Sequence, residues 1–313
     1  MYRRLLVEHH DRVLLVRFDN PPRHFFDERM SIELDDLTRR LRSDHDTRAV
    51  VFTGQGQTYM THFDVPELVH ATEQIPFELS YAAAKLIVAV GIPGRARGVD
   101  RLLRRTRARQ LPTMTRTYAA LHRLRTSDKV VLTAVNGLAL GMGCIFALAC
   151  DIRLMAEDRQ LGLPESGLGL LAGAGGAQSL VRMVGPGRAL ELLLEGRWLD
   201  ASEAADLGLI HRAVPAADLL PETLEVAHRL ATRSPRITRE IKRTVYDAAT
   251  RPFAAAARME AAALLATMSS RTTAHRLRAY RDRLNTTGPV TDDLVRRGFS
   301  ALLSGDDGYQ QPR

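Results

Sequence analysis

Five short runs of almost unbroken apolar residues punctuate the chain: VLLVRF at 13–18, AVVFTG at 49–54, VVLTAV at 130–135, DIRLMA at 151–156 and LIHRAV at 209–214. A strand with one wet face alternates apolar and polar positions. Runs this continuous predict strands covered on both faces. Between them the apolar spacing changes to three and four. Residues 30–41 carry Leu34, Leu37 and Leu41 at helical spacing, and 201–207 reads as a short helix with Asp200 or Ser202 as N-cap and Gly208 as stop. Strands alternating with helices predict an α/β layered core. No strict repeat runs through it.

From Pro221 onward the strand pattern stops, and 224–231, 235–248 and 253–284 read as helices, the last one long. Its alanines at 254–257 and 261–263 suit close packing against another subunit. Beyond Asn285 glycine, proline and polar residues predict a loosely held tail. The expected organisation is therefore a core over 1–220, a helical oligomerisation region over 221–285 and a flexible tail over 286–313. One stretch, near 80–120, looks inserted. Within it, Arg95, Arg97, Arg101, Arg104, Arg105, Arg107 and Arg109 face a single acid, Asp100. Such a run fits a solvated face, a flexible loop or an anion site.

Composition narrows the class. With 45% hydrophobic residues among 313, the chain fills a proper core, which excludes disorder for its bulk. Its 44 basic residues are 41 arginines and three lysines, giving a net charge of +8 against 36 acids. Arginine enrichment fits a GC-rich genome as well as it fits a phosphate ligand, whose geometry matches the planar guanidinium. Two cysteines, Cys144 and Cys150, exclude a disulfide scaffold and a Cys-built zinc site, and read as small core residues. The longest apolar run, 86–92, is far short of the roughly 18 residues of a membrane span. With no signal peptide visible, the expected location is the cytoplasm.

Three constellations carry candidate chemistry. Asn136-Gly137-Leu138-Ala139-Leu140-Gly141-Met142-Gly143-Cys144 joins the strand at 130–135 to an apolar helix. That arrangement presents free N–H groups at a helix start, where a phosphate or an oxyanion binds, or else serves only tight strand–helix packing. Its spacing is not GxGxxG, which argues against a dinucleotide fold. Pro164-Glu165 precedes Gly167, Gly169, Gly173, Gly175 and Gly176. Glu165 fits either a cleft carboxylate raised toward acid–base use by apolar walls, or a cap for the helix starting near Ala177. Finally, Thr53-Gly54-Gln55-Gly56 leads into Tyr59-Met60-Thr61-His62-Phe63-Asp64, where Asp64 offers a helix cap.

In this order the three segments resemble the crotonase superfamily, the enoyl-CoA hydratase/isomerase family. TGQGQTYMTHFDV is similar to its TG…FxAGxD segment, and VVLTAVNGLALGMGCIFALACDIRLMAED to its NGxAxGGGxxLAxxCDxR signature. The block from 161 to 214 follows its next segment almost without gaps, and NPPRHFF at 20–26 stands in place of NPPxNAL. The resemblance implies a spiral of repeated ββα turns with C-terminal helices that build trimers or hexamers. It implies acyl-CoA thioester substrates, with coenzyme A entering as part of the substrate and neither metal nor further cofactor. Matched by position, the backbone N–H groups of Phe63 and Met142 are the oxyanion donors and Glu165 is the catalytic carboxylate.

Departures from the family pattern bear on the reaction. The first of the two hydratase glutamates is replaced by Ile145, as in the family's mitochondrial-type Δ3,Δ2-enoyl-CoA isomerases. One carboxylate suffices to move a proton between C2 and C4, whereas water addition shares its proton transfers between two. Isomerisation is therefore expected, with hydration as the alternative and thioester hydrolysis, decarboxylation or C–C cleavage behind it. An RNA-binding role is disfavoured, since the arginine run lacks interleaved aromatics. Met142 and His62 stand where glycines are usual, so Met142 is expected to intrude on the acyl pocket or restrict φ, and His62 to line the pocket or transfer protons. His24, Phe25, His62, Asp64, Val65 and Pro66 complete the expected substrate-binding set, with Arg101, Arg104 and Arg105 reaching the CoA phosphates.

Overall fold

The structure, a computed structural model, describes residues 2–73, 78–91, 110–284 and 291–304. Its main sheet has six strands in the order β1 (Leu5–His10), β2 (Val13–Phe18), β3 (Ala49–Gly54), β4 (Val130–Val135), β6 (Ile152–Ala156) and β9 (Arg212–Val214). Strand β1 pairs antiparallel with β2, and every other pairing is parallel. A small second sheet orders β5 (Ala139–Leu140), β7 (Gln160–Gly162) and β8 (Trp198–Asp200). This mixed α/β architecture is the expected fold class.

The continuous apolar runs are explained by two cores. Leu14, Val16, Val50, Phe52, Val131 and Val135 enter the main core, where Phe18, Phe52 and Phe146 pack with centroids 4.9–5.8 Å apart. Their neighbours Val13, Leu15, Ala49, Val51 and Leu132 face the opposite way, onto Val226, Ala227 and Ala231. Side chains two apart share a face, so both registers must be apolar. On the main-core side, α1 (Glu28–Arg40) packs on the helix Gln110–Thr126. There the Ser31 and Thr117 hydroxyls meet at 2.9 Å, and Arg123 pairs with Asp35.

Several sequence expectations change. Only 212–214 of the run 209–214 is strand: Gly208 is left-handed (φ 73), and the N–H groups of Leu209 and Ile210 turn back to the Ala204 carbonyl. The helix Leu219–Ala231 covers the sheet's second face, so the core extends past residue 220. The expected single helix over 253–284 is two, Phe253–Met268 and Arg271–Leu284, because the Ser270 hydroxyl accepts from the Thr273 N–H and starts a new helix. The tail also holds a helix, Asp292–Ser304, begun by Thr291 accepting from Leu294 N–H and seated through Phe299 on Tyr280 at 4.7 Å.

Parallel pairing fixes where the chemistry gathers. Strands β2, β3 and β4 run side by side in one direction. Their carboxyl ends therefore emit the segments 20–26, 55–64 and 136–142 at one edge of the sheet. In open α/β sheets that edge is where ligands bind.

Candidate active site

The segments from β2 and β3 are stitched together first. Phe26 N–H donates to the His62 carbonyl at 2.7 Å, Asp64 N–H to Phe26 at 3.0 Å and Thr61 N–H to His24 at 3.1 Å. The β4 segment joins through Leu140 N–H, which donates to the Thr61 carbonyl at 2.7 Å. Asn136 closes the other side: its amide donates to the Gly54 and Gly56 carbonyls and accepts from Gly54 N–H. In the sequence Asn136 reads only as part of a turn; in the fold its amide is the clamp between two loops.

Phe63 and Met142 each lie two residues beyond the Leu140–Thr61 link, on adjacent segments. Neither N–H has an acceptor among the described residues. Met142 begins the helix α2 (Met142–Ala149) with Gly141 as its cap, so its N–H is one of the donors a helix start leaves free. The carbonyl of the His62–Phe63 peptide accepts from Phe26, which polarises the N–H at its other end. The two donors thus stand free on one edge of the fold.

Glycines let these segments touch. A Cβ on Gly143 would lie 1.9 Å from the Met60 carbonyl oxygen, so no other residue fits there. Gly141 has φ 49 and ψ −114, and a Cβ there would stand 3.1 Å from Glu165 Oε1 and 3.7 Å from the His62 Cβ. The conformational restriction expected at Met142 therefore falls on Gly141. The Met142 side chain is wholly buried in the core.

Glu165 rides on a 3₁₀ turn, Pro164–Leu168, directly after β7, and the left-handed Gly169 ends it. The side chain is buried, and neither carboxylate oxygen has a hydrogen-bond partner among the described residues. It is therefore no helix cap. Burial raises its pKa above the ordinary carboxylate value. The nearby Cys144 thiol is pushed up by burial and by the Glu165 charge. Both cysteines are free and buried, as expected.

Ile145, one turn into α2, supplies no second carboxylate. Its Cγ1 lies 2.6 Å from the point a Gly176 Cβ would occupy, beside Ala172, so it is packed into an apolar contact. No group of His, Cys, Asp and Glu able to hold a metal occurs among the described residues. His62 is half-buried, stacks on Phe25 at 4.2 Å and donates from Nδ1 to the Phe63 carbonyl at 2.6 Å. His24 takes a left-handed φ of 55 beside them. Asp64 caps the helix Val65–Glu73 by accepting from Glu67 N–H at 3.0 Å, with Val65 and Pro66 exposed in its first turn. Arg101, Arg104 and Arg105 lie outside the described residues.

A fold of this kind, with a lone carboxylate facing a glycine-rich helix start, has clear relatives. The profile of the Enoyl-CoA hydratase/isomerase family matches residues 96–287. The chain belongs to this family and is an enzyme of the crotonase type. A Mycobacterium leprae protein named as a probable enoyl-CoA hydratase, echA8, is 30% identical over 245 residues, covering 78% of this chain and 81% of that one. Among solved structures, Pseudomonas aeruginosa DspI is 28% identical with a TM-score of 0.71, covering 89% of this chain and 94% of its own. A Thermobifida fusca protein solved in complex with CoA is 28% identical with a TM-score of 0.67, covering 85% and 93%. No helix among the described residues is long and apolar enough to cross a membrane.

Proposed function

We propose that this enzyme moves the double bond of a 3-enoyl-CoA thioester to the 2-position, with Glu165 as the only proton carrier. The observation that carries this reading is the buried Glu165 carboxylate, unpartnered at both oxygens among the described residues, with isoleucine where a second carboxylate would stand. A carboxylate hydrogen-bonded to the protein is a weak base. One held dry and unpaired, with its pKa raised, suits the removal of a weakly acidic C–H proton.

The thioester oxygen takes the N–H groups of Phe63 and Met142. Glu165 removes a proton from C2, and the electron pair flows onto that oxygen as a dienolate. The same carboxyl group then returns the proton to C4, leaving the double bond between C2 and C3. Donors fixed in place before charge develops are worth about 10²–10³ in rate each. In this reading His24, Phe25, Asp64, Val65 and Pro66 form the substrate-binding set, with the CoA phosphates assigned to Arg101, Arg104 and Arg105, which lie outside the described residues. Coenzyme A thus arrives with the substrate. A homotrimer or hexamer is the working assembly: Phe253 is 89% exposed and Leu265 68%, apolar surface that suits a partner subunit. Light scattering at micromolar concentration tests it, and a monomer would refute it.

Relatives named as enoyl-CoA hydratases favour water addition as the second reading. Parallel assays of 2-enoyl- and 3-enoyl-CoA with wild type and Glu165→Gln separate the two. Double-bond migration lost in the variant, with negligible hydration in both proteins, supports the isomerase. Robust hydration by the wild type overturns it.

A further inference from the structure

We infer that His62, locked by Phe25 and the Phe63 carbonyl, walls the cleft beside Glu165 and makes the site selective for acyl thioesters unbranched at C2. The inference rests on the proposed binding of a thioester at Phe63 and Glu165, and it deepens that reading to a substrate class.

Position comes first. The His62 Cβ and the Glu165 Oε1 flank one point, 3.7 Å and 3.1 Å from where a Gly141 Cβ would sit. His62 is also covalently joined to Phe63, whose N–H takes the thioester oxygen. A substrate with its carbonyl oxygen on Phe63 and its C2 at Glu165 therefore runs its C1–C2 bond past His62. The family pattern has glycine here, which would leave that space open.

Rigidity comes second. The Phe63 carbonyl can only accept, so Nδ1 carries the hydrogen of their 2.6 Å bond and the ring edge is tied down. The ring face lies on Phe25 at 4.2 Å, with the planes 29° apart. Phe25 is anchored in turn, because the Asn20 side chain donates to its carbonyl at 2.7 Å and the Arg23 guanidinium lies 6.0 Å over its ring. The Phe26–His62 and Thr61–His24 hydrogen bonds hold both backbones. An imidazole fixed at both edge and face cannot swing aside for an added methyl. The straight chain and the C2-methyl chain differ by that one group, which an apolar pocket discriminates by about 10–200-fold.

The test uses the full-length protein and calorimetry with two saturated thioesters, butanoyl-CoA and 2-methylbutanoyl-CoA, which bind without reacting. Wild type is expected to favour the straight chain at least ~10-fold, and His62→Gly to reduce the ratio to within ~3-fold. Phe25→Ala, which frees the ring, should fall between. His62→Ala stands in if the glycine variant does not fold. An unchanged ratio in the His62 variants, or equal affinities in the wild type, overturns the inference. Binding of neither thioester overturns it together with the CoA reading. A ratio that collapses as expected in an enzyme that moves no double bond leaves the wall intact and removes only the isomerase.

Discussion

Two nearly buried carboxylates, Glu165 and Asp151, receive opposite treatment from the fold. Asp151 Oδ2 accepts from Lys242 Nζ at 2.7 Å and from Val131 N–H at 2.8 Å, while Oδ1 accepts from the Tyr246 hydroxyl at 2.8 Å. Lys242 completes its own set on the Leu124 and Lys129 carbonyls, both at 2.9 Å. This junction locks the helix Pro235–Tyr246 to the sheet. Glu165 has no partner at either oxygen among the described residues. Burying a charge without partners costs stability, and a fold that saturates one carboxylate so fully is able to do so. The contrast separates a group that holds structure from a group left free to react.

Removing one member of the saturated junction gives the largest expected loss. Lys242→Ala removes the cation paired with Asp151 and a donor from each of the Leu124 and Lys129 carbonyls, and should cost about 3–5 kcal/mol of unfolding free energy in urea. Glu165→Gln, measured the same way, should cost nothing or stabilise, since it removes an unpaired buried charge. Equal destabilisation by both variants would erase the distinction between the two sites.

Gly141→Ala comes next. The methyl would meet Glu165 Oε1 at 3.1 Å in a backbone conformation that L-residues rarely adopt. Strain of this kind costs about 1–3 kcal/mol. Activity should fall further than stability implies, because the carboxylate must move away from C2. A variant with wild-type kcat would show that the Glu165 position is not critical.

The raised pKa of Glu165 makes the contrast visible in pH. The folded state holds this proton more tightly than the unfolded state. Its contribution to stability is therefore complete below the unfolded carboxylate pKa and is lost as pH rises through the folded value. Glu165→Gln should flatten the stability profile in that window. Isomerisation needs the ionised form, so kcat/KM should fall on acidification through a pKa above the ordinary glutamate value. An acid limb at or below that value would contradict the dry, unpaired site.

Much of this could be read from the sequence, and the failures have physical causes. The runs 13–18, 49–54 and 130–135 are strands to the residue, because burial on both faces leaves no other pattern. Glu165, Gly141 and His62 were each marked by their motifs, but their meeting was not, since it depends on three loops converging from distant sequence positions. The antiparallel strand Leu5–His10 was missed, its apolar positions diluted by Glu8, His9 and His10. The break at Ser269–Ser270 and the helix after Thr291 were both announced by Ser/Thr caps that apolar spacing overlooks. Lys242 gave no signal, because a lysine inside a helix ordinarily faces water.

The smallest expected effect isolates one bond of the junction. Tyr246 serves it twice: its hydroxyl donates to Asp151 Oδ1, and its ring lies 5.1 Å beneath the Arg125 guanidinium. Tyr246→Phe keeps the ring and removes only the hydroxyl. Oδ1 then loses its donor while Oδ2 keeps Lys242 and Val131 N–H. A lost hydrogen bond to a charged acceptor that retains other partners is worth about 1–2 kcal/mol, the amount by which unfolding free energy should drop. The cleft at Glu165 is untouched, so kcat and KM for the 3-enoyl thioester should stay at wild-type values. A stability equal to wild type would mean that Lys242 and Val131 saturate Asp151 unaided. A fall in kcat would mean that the junction and the cleft are coupled, and the division between holding and reacting carboxylates would have to be redrawn.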